Sequence, residues 1–337
     1  MTSIIGINSS FPDNCVSQED ILKISQSIFS KRKDFNKIMR VYQNSGVNSR
    51  FLVEDLSWYE NQHSWEERNI LFKKHSIVLL KKCIKKTLKE CNLKVSDIGG
   101  IVTINTTGIT TPSIDTELIN IFNLKNDIKR LPIFGYGCAG GVLGLSRAVE
   151  IQKSINKPVL VCNYELCSLT FRSQISSNAN IVSTALFGDG AVSYILHNKG
   201  NCKFIKSTEY TWKNSLNLMG WEVKDDGLAV VFDKSIPSFI EKKLPIIIRK
   251  FSPEVFDGYI LHSGGMKIIK AYEKIFKNHE SILLAKEVLS NYGNVSSVSV
   301  LLVLQELLKK SFSGTYLLSA LGPGFSAGLA EVKIDAN

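Results

Sequence analysis

The chain alternates short apolar runs with longer segments in which apolar and polar residues recur every three to four positions. The short runs are rich in Val, Ile and Leu, as buried strands are, and lie at 101–104, 158–162, 191–196, 258–261 and 315–318. The longer segments have helical spacing and lie at 115–124, 139–154, 237–250, 266–278 and 295–310. Strands separated by helices of this length predict an α/β protein with largely buried sheets.

Two segments of small residues lie where an apolar run gives way to a helical pattern. The first is Gly-Cys-Ala-Gly-Gly at 137–141, and the second is Tyr-Gly-Asn-Val-Ser-Ser at 292–297. We interpret them as a faint sign of two duplicated halves. The polar turn at 197–200 is the least structured join, so we predict an N-terminal half at 1–198 and a C-terminal half at 199–337.

Composition restricts the class of protein. Apolar residues make up 44% of the chain and charged residues 21%, values typical of a globular protein with a substantial core. No uncharged apolar stretch reaches about 18 residues, and the N-terminus lacks a signal-peptide pattern. The sequence therefore predicts a cytoplasmic protein without a membrane span.

The chain is basic, with a net charge of +10, and lysines recur with helical spacing at 81, 82, 85, 86 and 89. The favoured interpretation is a solvated helix face. The alternative is a surface that attracts an anionic ligand or carrier, such as the phosphates of coenzyme A. No aromatic-interleaved basic motif accompanies the charge, so nucleic acid is not an expected partner.

One of the seven cysteines has an unusual setting. Cys138 lies between a strand-like and a helix-like run and has Gly137, Gly140 and Gly141 around it. A helix N-terminus is expected to lower the thiol pKa, and the small neighbours let a thioester approach the sulfur. We favour a nucleophile over a structural buried thiol. The cysteines form no CxxC pair, so neither a metal site nor a disulfide framework is predicted.

A histidine and an asparagine occupy comparable loop positions. His262 ends the apolar run 258–261 and precedes Ser-Gly-Gly, a position that favours a cavity-facing side chain over a core histidine. Asn294 taken alone is typical of a helix N-cap. Beside a reactive cysteine and a histidine, its amide becomes a useful hydrogen-bond donor.

These three side chains suffice for decarboxylative carbon–carbon bond formation. The Cys138 thiolate attacks an acyl thioester and becomes acylated. A malonyl thioester then loses carbon dioxide, while His262 and Asn294 stabilise the oxyanion of the resulting enolate. The carbanion attacks the Cys138 thioester, and no carboxylate base is needed.

Five motifs occur in one characteristic order: Gly-Cys-Ala-Gly-Gly at 137–141, Leu-Phe-Gly-Asp-Gly-Ala at 186–191, His-Ser-Gly-Gly at 262–265, Tyr-Gly-Asn-Val-Ser-Ser at 292–297 and Leu-Gly-Pro-Gly at 321–324. In this the chain resembles the type III polyketide synthases, chalcone-synthase-like members of the thiolase superfamily, from about Asp97 to Val332. The segments 110–115 and 219–223 resemble the bacterial branch that makes alkylpyrones and alkylresorcinols. The resemblance implies a five-layered αβαβα thiolase fold with two duplicated halves, and a homodimer.

The resemblance also implies roles for individual positions. Cys138 matches the nucleophile, and His262 and Asn294 match the decarboxylation and oxyanion pair. Lys37 and Arg40 resemble positions that contact coenzyme A phosphates. The remaining matches gate or shape the cavity, and they are Phe187, Thr170, Gly227, Ser296, Gly322, Pro323 and Gly324.

The chain departs from the plant pattern at several of these positions. Val230 replaces a second gatekeeper phenylalanine, and Asn44 replaces a third basic position for coenzyme A. Ser263 stands where proline is usual, and Thr111 replaces a methionine of the dimer interface. We expect Val230 to remove aromatic bulk from the catalytic pocket and thereby to admit a fatty acyl starter.

The leading hypothesis is an enzyme that loads an acyl-CoA, extends it repeatedly with malonyl-CoA and cyclises it to a pyrone or a resorcinol-type product. No metal or other cofactor is implied, and delivery by an acyl carrier protein stays open. The alternatives are a ketoacyl synthase III that performs one condensation on a carrier protein, and a thiolase-fold acyltransferase without condensation. A thiolase-fold scaffold without chemistry is disfavoured, because all three reactive positions are intact.

Overall fold

The structure is a computed structural model that describes residues 1–277, 279–310 and 312–336. Position 278 of the predicted helix 266–278 and position 337 of the predicted C-terminal half lie outside the described residues. The strands are β1 (Ser3–Ser10), β2 (Asn14–Ser17), β3 (Ser49–Leu52), β4 (Gly100–Asn105), β5 (Lys129–Phe134), β6 (Val159–Leu166), β7 (Asp189–His197), β8 (Cys202–Thr211), β9 (Met219–Lys224), β10 (Gly227–Phe232), β11 (Gly258–Leu261), β12 (Gly314–Gly322) and β13 (Ser326–Ile334). The helices are α1 (Gln18–Ile28), α2 (Phe35–Ile38), α3 (Arg40–Gln43), α4 (Trp65–Glu90), α5 (Ile114–Phe122), α6 (Gly140–Ile155), α7 (Asn178–Leu186), α8 (Ile236–Phe251), α9 (Met266–Ile275), α10 (Ile282–Tyr292) and α11 (Ser299–Lys309).

The alternating pattern of the sequence is confirmed. The short apolar runs fall on β4, β6, β7, β11 and β12. The helical segments fall on α5, α6, α8, α9 and α11, although the segment at 295–310 begins as a 3-10 turn, Ser296–Val298. Every residue of β6 is buried, which explains why this strand reads as a continuous apolar run.

Nine strands form one sheet, in the order β11-β12-β13-β8-β1-β7-β6-β4-β5. The two halves of the chain contribute separate blocks to this sheet. The blocks meet where β1 pairs with β8, through Ser3 with Lys203 and Ile4 with Cys202. Two antiparallel strand pairs, β2 with β3 and β9 with β10, lie outside the large sheet.

The helices arrange the fold in five layers. Helices α4 and α5 cover the block of β4 to β7, and α8 to α10 lie on the side of the block of β8 and β11. Helix α6 packs against β4 and β6 of one block and against β12 and β13 of the other, so it lies between them, and α11 does likewise. Most residues of α6 and α11 are buried, as expected for central helices. The order is αβαβα, and both central helices begin at the small-residue junctions.

Candidate active site

Cys138 lies in a short 3-10 helix, Gly137–Ala139, directly before the central helix α6. The Gly137 N–H donates to Thr106 Oγ1 at 2.8 Å, which ties the loop to the end of β4. Gly137 has a φ of +51°, and a Cβ there would lie 2.5 Å from Cδ of Pro323. A Cβ at Gly141 would lie 2.5 Å from the Ser297 carbonyl oxygen. These glycines are needed because the loops that carry Pro323 and Ser297 approach the cysteine segment so closely.

Asn294 lies in the matching junction before α11. Its Nδ2 donates to the Gly264 carbonyl at 3.3 Å, and its Oδ1 accepts from the Ser296 N–H at 2.9 Å. The side chains of Ser296 and Asn294 lie close enough to the Cys138 sulfur to lower the pKa of its thiol. The two junctions therefore bring the cysteine and the carboxamide together across the centre of the molecule.

His262 follows the last residue of β11. Its N–H donates to the Ser319 carbonyl at 3.0 Å, and its carbonyl accepts from the Gly264 N–H at 3.0 Å. A Cβ at Gly264 would lie 3.1 Å from His262 Nε2, so this nitrogen faces the residue that accepts the Asn294 amide. Nδ1 is buried and has no hydrogen-bond partner among the described residues. The imidazole and the carboxamide thus meet at Gly264.

The electrostatics of the cysteine differ from the sequence prediction. The pKa of the Cys138 thiol is raised to about 12, chiefly by burial and to a smaller extent by the nearby Glu165 carboxyl, while Ser296 and Asn294 act to lower it. The expected lowering by the helix N-terminus was wrong, because desolvation of a thiolate outweighs it in this buried position. Burial also lowers the pKa of His262 to about 4. Both shifts favour the neutral forms of the thiol and the imidazole.

A buried carboxyl group that the sequence reading missed joins two of the loops. Glu165, at the end of β6, accepts from the Thr106 N–H and Thr107 Oγ1 at 2.9 Å each, and from Ser297 Oγ at 2.7 Å. Burial raises its pKa to about 7 despite these hydrogen bonds. A lone acidic residue inside an apolar strand pattern was the available signal for it.

Cys138 lies at the wall of a cavity of about 300 Å³. The lining residues are Gly137, Cys138, Phe187, Met219, Gly220, Trp221, Val230, Phe232, Ser296 and Pro323. Among the matched cavity positions, the wall therefore includes Phe187, Val230, Ser296 and Pro323.

The expectation that Val230 removes aromatic bulk from the catalytic pocket stays a prediction, but aromatic side chains flank Val230 in the cavity wall. Val230 pairs with Trp221 in the β9–β10 hairpin, and the Trp221 ring lies 6.0 Å from the Phe187 ring. Phe232 lies on the other side of Val230, with its ring 5.6 Å from Phe187. Aromatic bulk is thus supplied by the neighbours of Val230, which sequence position alone did not reveal.

Four other matched positions do not line this cavity. The Thr170 hydroxyl donates to the Cys167 carbonyl at 2.7 Å. Gly227 faces the side chain of Arg68, and Gly322 packs against the backbone around Tyr136. Gly324 likewise lies outside the lining residues. Gly220, which was not predicted from the sequence, does line the cavity. A Cβ at this position would meet no atom within 4 Å.

A larger cavity of about 470 Å³ lies on the other side of Phe187. Its lining residues are Ile21, Ile24, Ser25, Ile28, Arg50, Leu52, Leu56, Tyr59, Cys167, Ser168, Phe171, Ser183, Thr184 and Phe187. The wall is predominantly aliphatic and aromatic, and α1 supplies one side of it. Phe187 is the residue that the two cavities share.

The predicted coenzyme A residues lie on the two short helices before β3. Lys37 on α2 and Arg40 on α3 are exposed, and Asn44 Nδ2 donates to the Arg40 carbonyl at 2.8 Å. Tyr42 of α3 contacts α7 through a 2.6 Å hydrogen bond to Thr184 Oγ1. The lysines at 81, 82, 85, 86 and 89 are all exposed on α4, in line with the solvated-face interpretation.

The described residues form neither a metal-binding cluster nor a helix suited to crossing a membrane. No group of three or more His, Cys, Asp or Glu residues in the described ranges is arranged to hold a metal ion. None of the helices there combines the length and the apolar character that crossing a membrane requires.

Comparison with known proteins agrees with this geometry. Residues 1–199 match the N-terminal domain of chalcone and stilbene synthases, and residues 204–330 match their C-terminal domain. A putative chalcone synthase of Bacillus subtilis is 32% identical over 98% of each chain. The 1,3,6,8-tetrahydroxynaphthalene synthase of Streptomyces peucetius is 28% identical over 97% of this chain and 91% of its own length.

Solved structures share the fold. The bacterial type III polyketide synthase 1,3,6,8-tetrahydroxynaphthalene synthase of Streptomyces coelicolor superposes with a TM-score of 0.95 at 22% identity, over 99% of this chain and 100% of its own. The polyketide synthase domain of Steely1 from Dictyostelium gives a TM-score of 0.90 at 24% identity, over 99% of each chain.

The fold and the cysteine site together define a thiolase-fold enzyme. More narrowly, the chain belongs to the chalcone and stilbene synthase family, the type III polyketide synthases, which are acyl-transferring and decarboxylating condensing enzymes.

Proposed function

We propose that this enzyme loads an acyl-CoA starter on Cys138, extends it by repeated decarboxylative condensation with malonyl-CoA, and cyclises the product to a pyrone or a resorcinol. The observation that carries the proposal is the position of Cys138 at a cavity wall, beside Asn294 and Ser296. The proposed bacterial alkylpyrone or alkylresorcinol branch rests on the sequence motifs.

Loading begins from a neutral thiol. His262, whose imidazole is favoured in its neutral form, is the proposed acceptor of the Cys138 proton as the sulfur attacks the thioester carbonyl. The new carbon–sulfur bond forms as the bond to coenzyme A breaks. The proton on His262 then passes to the departing coenzyme A thiolate, so the imidazole ends neutral.

In the extension step, His262 and Asn294 act as hydrogen-bond donors. The His262 N–H and the Asn294 amide hold the thioester oxygen of malonyl-CoA while its carboxylate leaves as carbon dioxide. The electron pair left behind forms an enolate, whose carbon attacks the carbonyl carbon of the acylated Cys138. The carbon–sulfur bond breaks, and Cys138 leaves as a thiolate that takes up a proton from solvent before the next loading step. Decarboxylation itself generates the carbanion, so we propose that no resident metal or other cofactor takes part.

We propose a fatty acyl group as the starter. The absence of an aromatic side chain at Val230 is not the main support, because Trp221 and Phe232 line the same cavity. The main support is the apolar cavity beyond Phe187, whose wall includes Ile21, Ile24 and Ile28 of α1. A saturated chain needs an apolar wall and few polar groups.

Coenzyme A is proposed to bind at α2 and α3. Exposed Lys37 and Arg40 provide positive charge for its phosphates, on a segment that contacts the helix ending at Phe187. An acyl carrier protein is an alternative donor of the starter. Comparing acyl-CoA with carrier-bound acyl groups as substrates separates the two.

A homodimer is proposed through β5. This strand ends the large sheet, and the side chain of Phe134 in it is 52% exposed. An exposed edge strand is a template for pairing with a second copy. Light scattering after gel filtration tests this, and a monomeric wild-type protein would refute it.

The experiment for the proposed function is incubation with a chain-length series of acyl-CoAs and labelled malonyl-CoA, followed by product mass spectrometry. We expect labelled carbon dioxide and products extended by several two-carbon units. A single extension held on carrier protein would favour a ketoacyl synthase III, and transfer without carbon dioxide would favour a plain acyltransferase. Exclusive use of aromatic starters would refute the fatty acyl proposal.

A further inference from the structure

Arg50 of β3 is the largest side chain that is fully buried in the described residues, with 1% exposure. Its guanidinium donates to the carbonyl oxygens of Thr184 at 2.6 Å, Phe187 at 3.2 Å and Ala185 at 3.1 Å. It also donates to the Gln18 side chain. All three carbonyls belong to the end of α7, where a helix leaves carbonyl groups unpaired and carries partial negative charge.

The same residue range is joined to the loop of Asn294. The Asn294 N–H donates to the Leu186 carbonyl at 2.7 Å, and the Gly188 N–H donates to the Asn294 carbonyl at 3.1 Å. This parallel bridge places Phe187 directly beside Asn294. The backbone at 184–188 is therefore hydrogen-bonded to the Arg50 side chain and also to the backbone of Asn294, the proposed oxyanion donor.

The segment around Arg50 reaches the other active-site loops as well. The Met266 N–H, which follows the His262 loop, donates to the Ser45 carbonyl at 3.2 Å. Gln18 Nε2 donates to the carbonyl of Tyr42 at 3.0 Å and to that of Ala185 at 3.1 Å. The segment 42–50 thus connects two regions. It continues from the helices of Lys37 and Arg40, and it contacts the loops that carry His262 and Phe187.

We propose that Arg50 is a positioning residue that fixes Phe187 and Asn294 relative to each other and to the coenzyme A segment. It touches no proposed reacting atom. Its side chain also lines the larger cavity, but its effect on Phe187 and Asn294 is exerted through the backbone of α7. The choice of arginine follows from the number of acceptors, since only a planar fork of donors can meet three backbone carbonyls and a side-chain oxygen at once. The inference rests on the proposed function for its kinetic readout.

The test is malonyl-CoA decarboxylation by Arg50→Lys, measured as labelled carbon dioxide at a temperature where the variant is folded. Lysine keeps the charge but cannot make all the bonds, so Asn294 shifts away from the oxyanion. We expect kcat to fall about tenfold, with the KM for malonyl-CoA within about twofold of wild type.

The matched control is Arg68→Lys. Arg68 is also buried and also donates to backbone carbonyls, those of Leu169 at 2.8 Å and Phe171 at 2.6 Å, but it contacts neither Phe187 nor Asn294. It should lose comparable thermal stability and keep its decarboxylation rate within about twofold. An equal loss of rate in Arg68→Lys would reduce the role of Arg50 to general stability and overturn the proposal.

A second variant keeps the inference testable if Arg50→Lys does not fold. Gln18→Ala removes one acceptor of Arg50 and one bond to the Ala185 carbonyl, and should lower kcat about threefold. A folded Gln18→Ala protein with the wild-type rate would contradict the proposal in that case.

Failure of the proposed function is distinguishable. A wild-type protein that releases no carbon dioxide refutes the proposed function. The positioning role of Arg50 is then tested by alkylation of Cys138, followed by peptide mass spectrometry. Loosening of Phe187 should then raise the alkylation rate about threefold in the Arg50 or Gln18 variant relative to Arg68→Lys. Equal alkylation rates in all variants would overturn the positioning role of Arg50.

Discussion

The two cavities that meet at Phe187 are built in opposite ways. The smaller one has Cys138 at its wall, and loops from both halves of the chain fix the groups around that cysteine. The larger one is lined mainly by aliphatic and aromatic side chains, several of them on the amphipathic helix α1. The first should tolerate almost no change in position, and the second should respond mainly to changes in volume. This difference separates chemistry from substrate selection.

The largest expected effect concerns the smaller cavity, where the proposed chemistry takes place. His262→Ala or Asn294→Ala should lower malonyl-CoA decarboxylation by about 10²–10³, because each removes a donor to the oxyanion. Release of labelled carbon dioxide measures this. Ser263→Ala is the neighbouring control, since the Ser263 hydroxyl is buried without a hydrogen-bond partner among the described residues. Equal losses in all three variants would mean that the effect is not specific to the two donors.

The protonation state of Cys138, also at the smaller cavity, predicts how the alkylation rate of this cysteine depends on pH. Because burial raises the thiol pKa to about 12, the thiolate fraction should rise about tenfold for each pH unit above neutrality. Alkylation of Cys138 by iodoacetamide, followed by peptide mass spectrometry, should rise in step. A rate that is already constant from about pH 7 upwards would show that the free enzyme holds a thiolate.

The larger cavity should respond to filling. Ile24→Trp places a ring in that cavity, so kcat/KM for long-chain acyl-CoA should fall about tenfold while short-chain acyl-CoA stays within about twofold. Lys23→Trp is the control, because Lys23 is exposed on the same helix and does not line the cavity. An equal loss for short and long starters would remove the assignment of this cavity to the acyl chain.

The smallest effect concerns the hairpin pair that narrows the catalytic cavity. Trp221→Ala should shift product distribution toward longer chains by about threefold, and adding Val230→Phe should restore it, since the two side chains are cross-strand neighbours. Product mass spectrometry reads both. Val223→Ala, on the same strand and 64% exposed, should leave the distribution unchanged. Independent effects of the two substitutions would contradict a shared volume.

Sequence reasoning succeeded where a local pattern has one structural solution. Strand and helix alternation predicted the α/β fold. The glycines around Cys138 were expected to let a thioester approach the sulfur, and this stays a prediction; in the structure, Gly137 and Gly141 make room for the loops of Pro323 and Ser297. Cys138 and Asn294 were recognisable because each sits in a short motif at a strand-to-helix or loop-to-helix junction.

Features that depend on burial or on pairing across the chain were missed. Trp221 lies beside Val230 only through the register of a hairpin, and Arg50 contacts α7 more than 130 residues further along the chain. The thiol pKa was predicted in the wrong direction, because the extent of burial at Cys138 is a property of the folded molecule. The division at 198 and 199 and the roles of Lys37 and Arg40 stay predictions.

The most direct measurement is the site of acylation after incubation with a long-chain acyl-CoA in the absence of malonyl-CoA, read from the masses of the cysteine-containing peptides. The account predicts one acyl group, on the peptide of Cys138, and none in Cys138→Ala. Acylation of a different cysteine such as Cys167, or an unchanged result in Cys138→Ala, would contradict it.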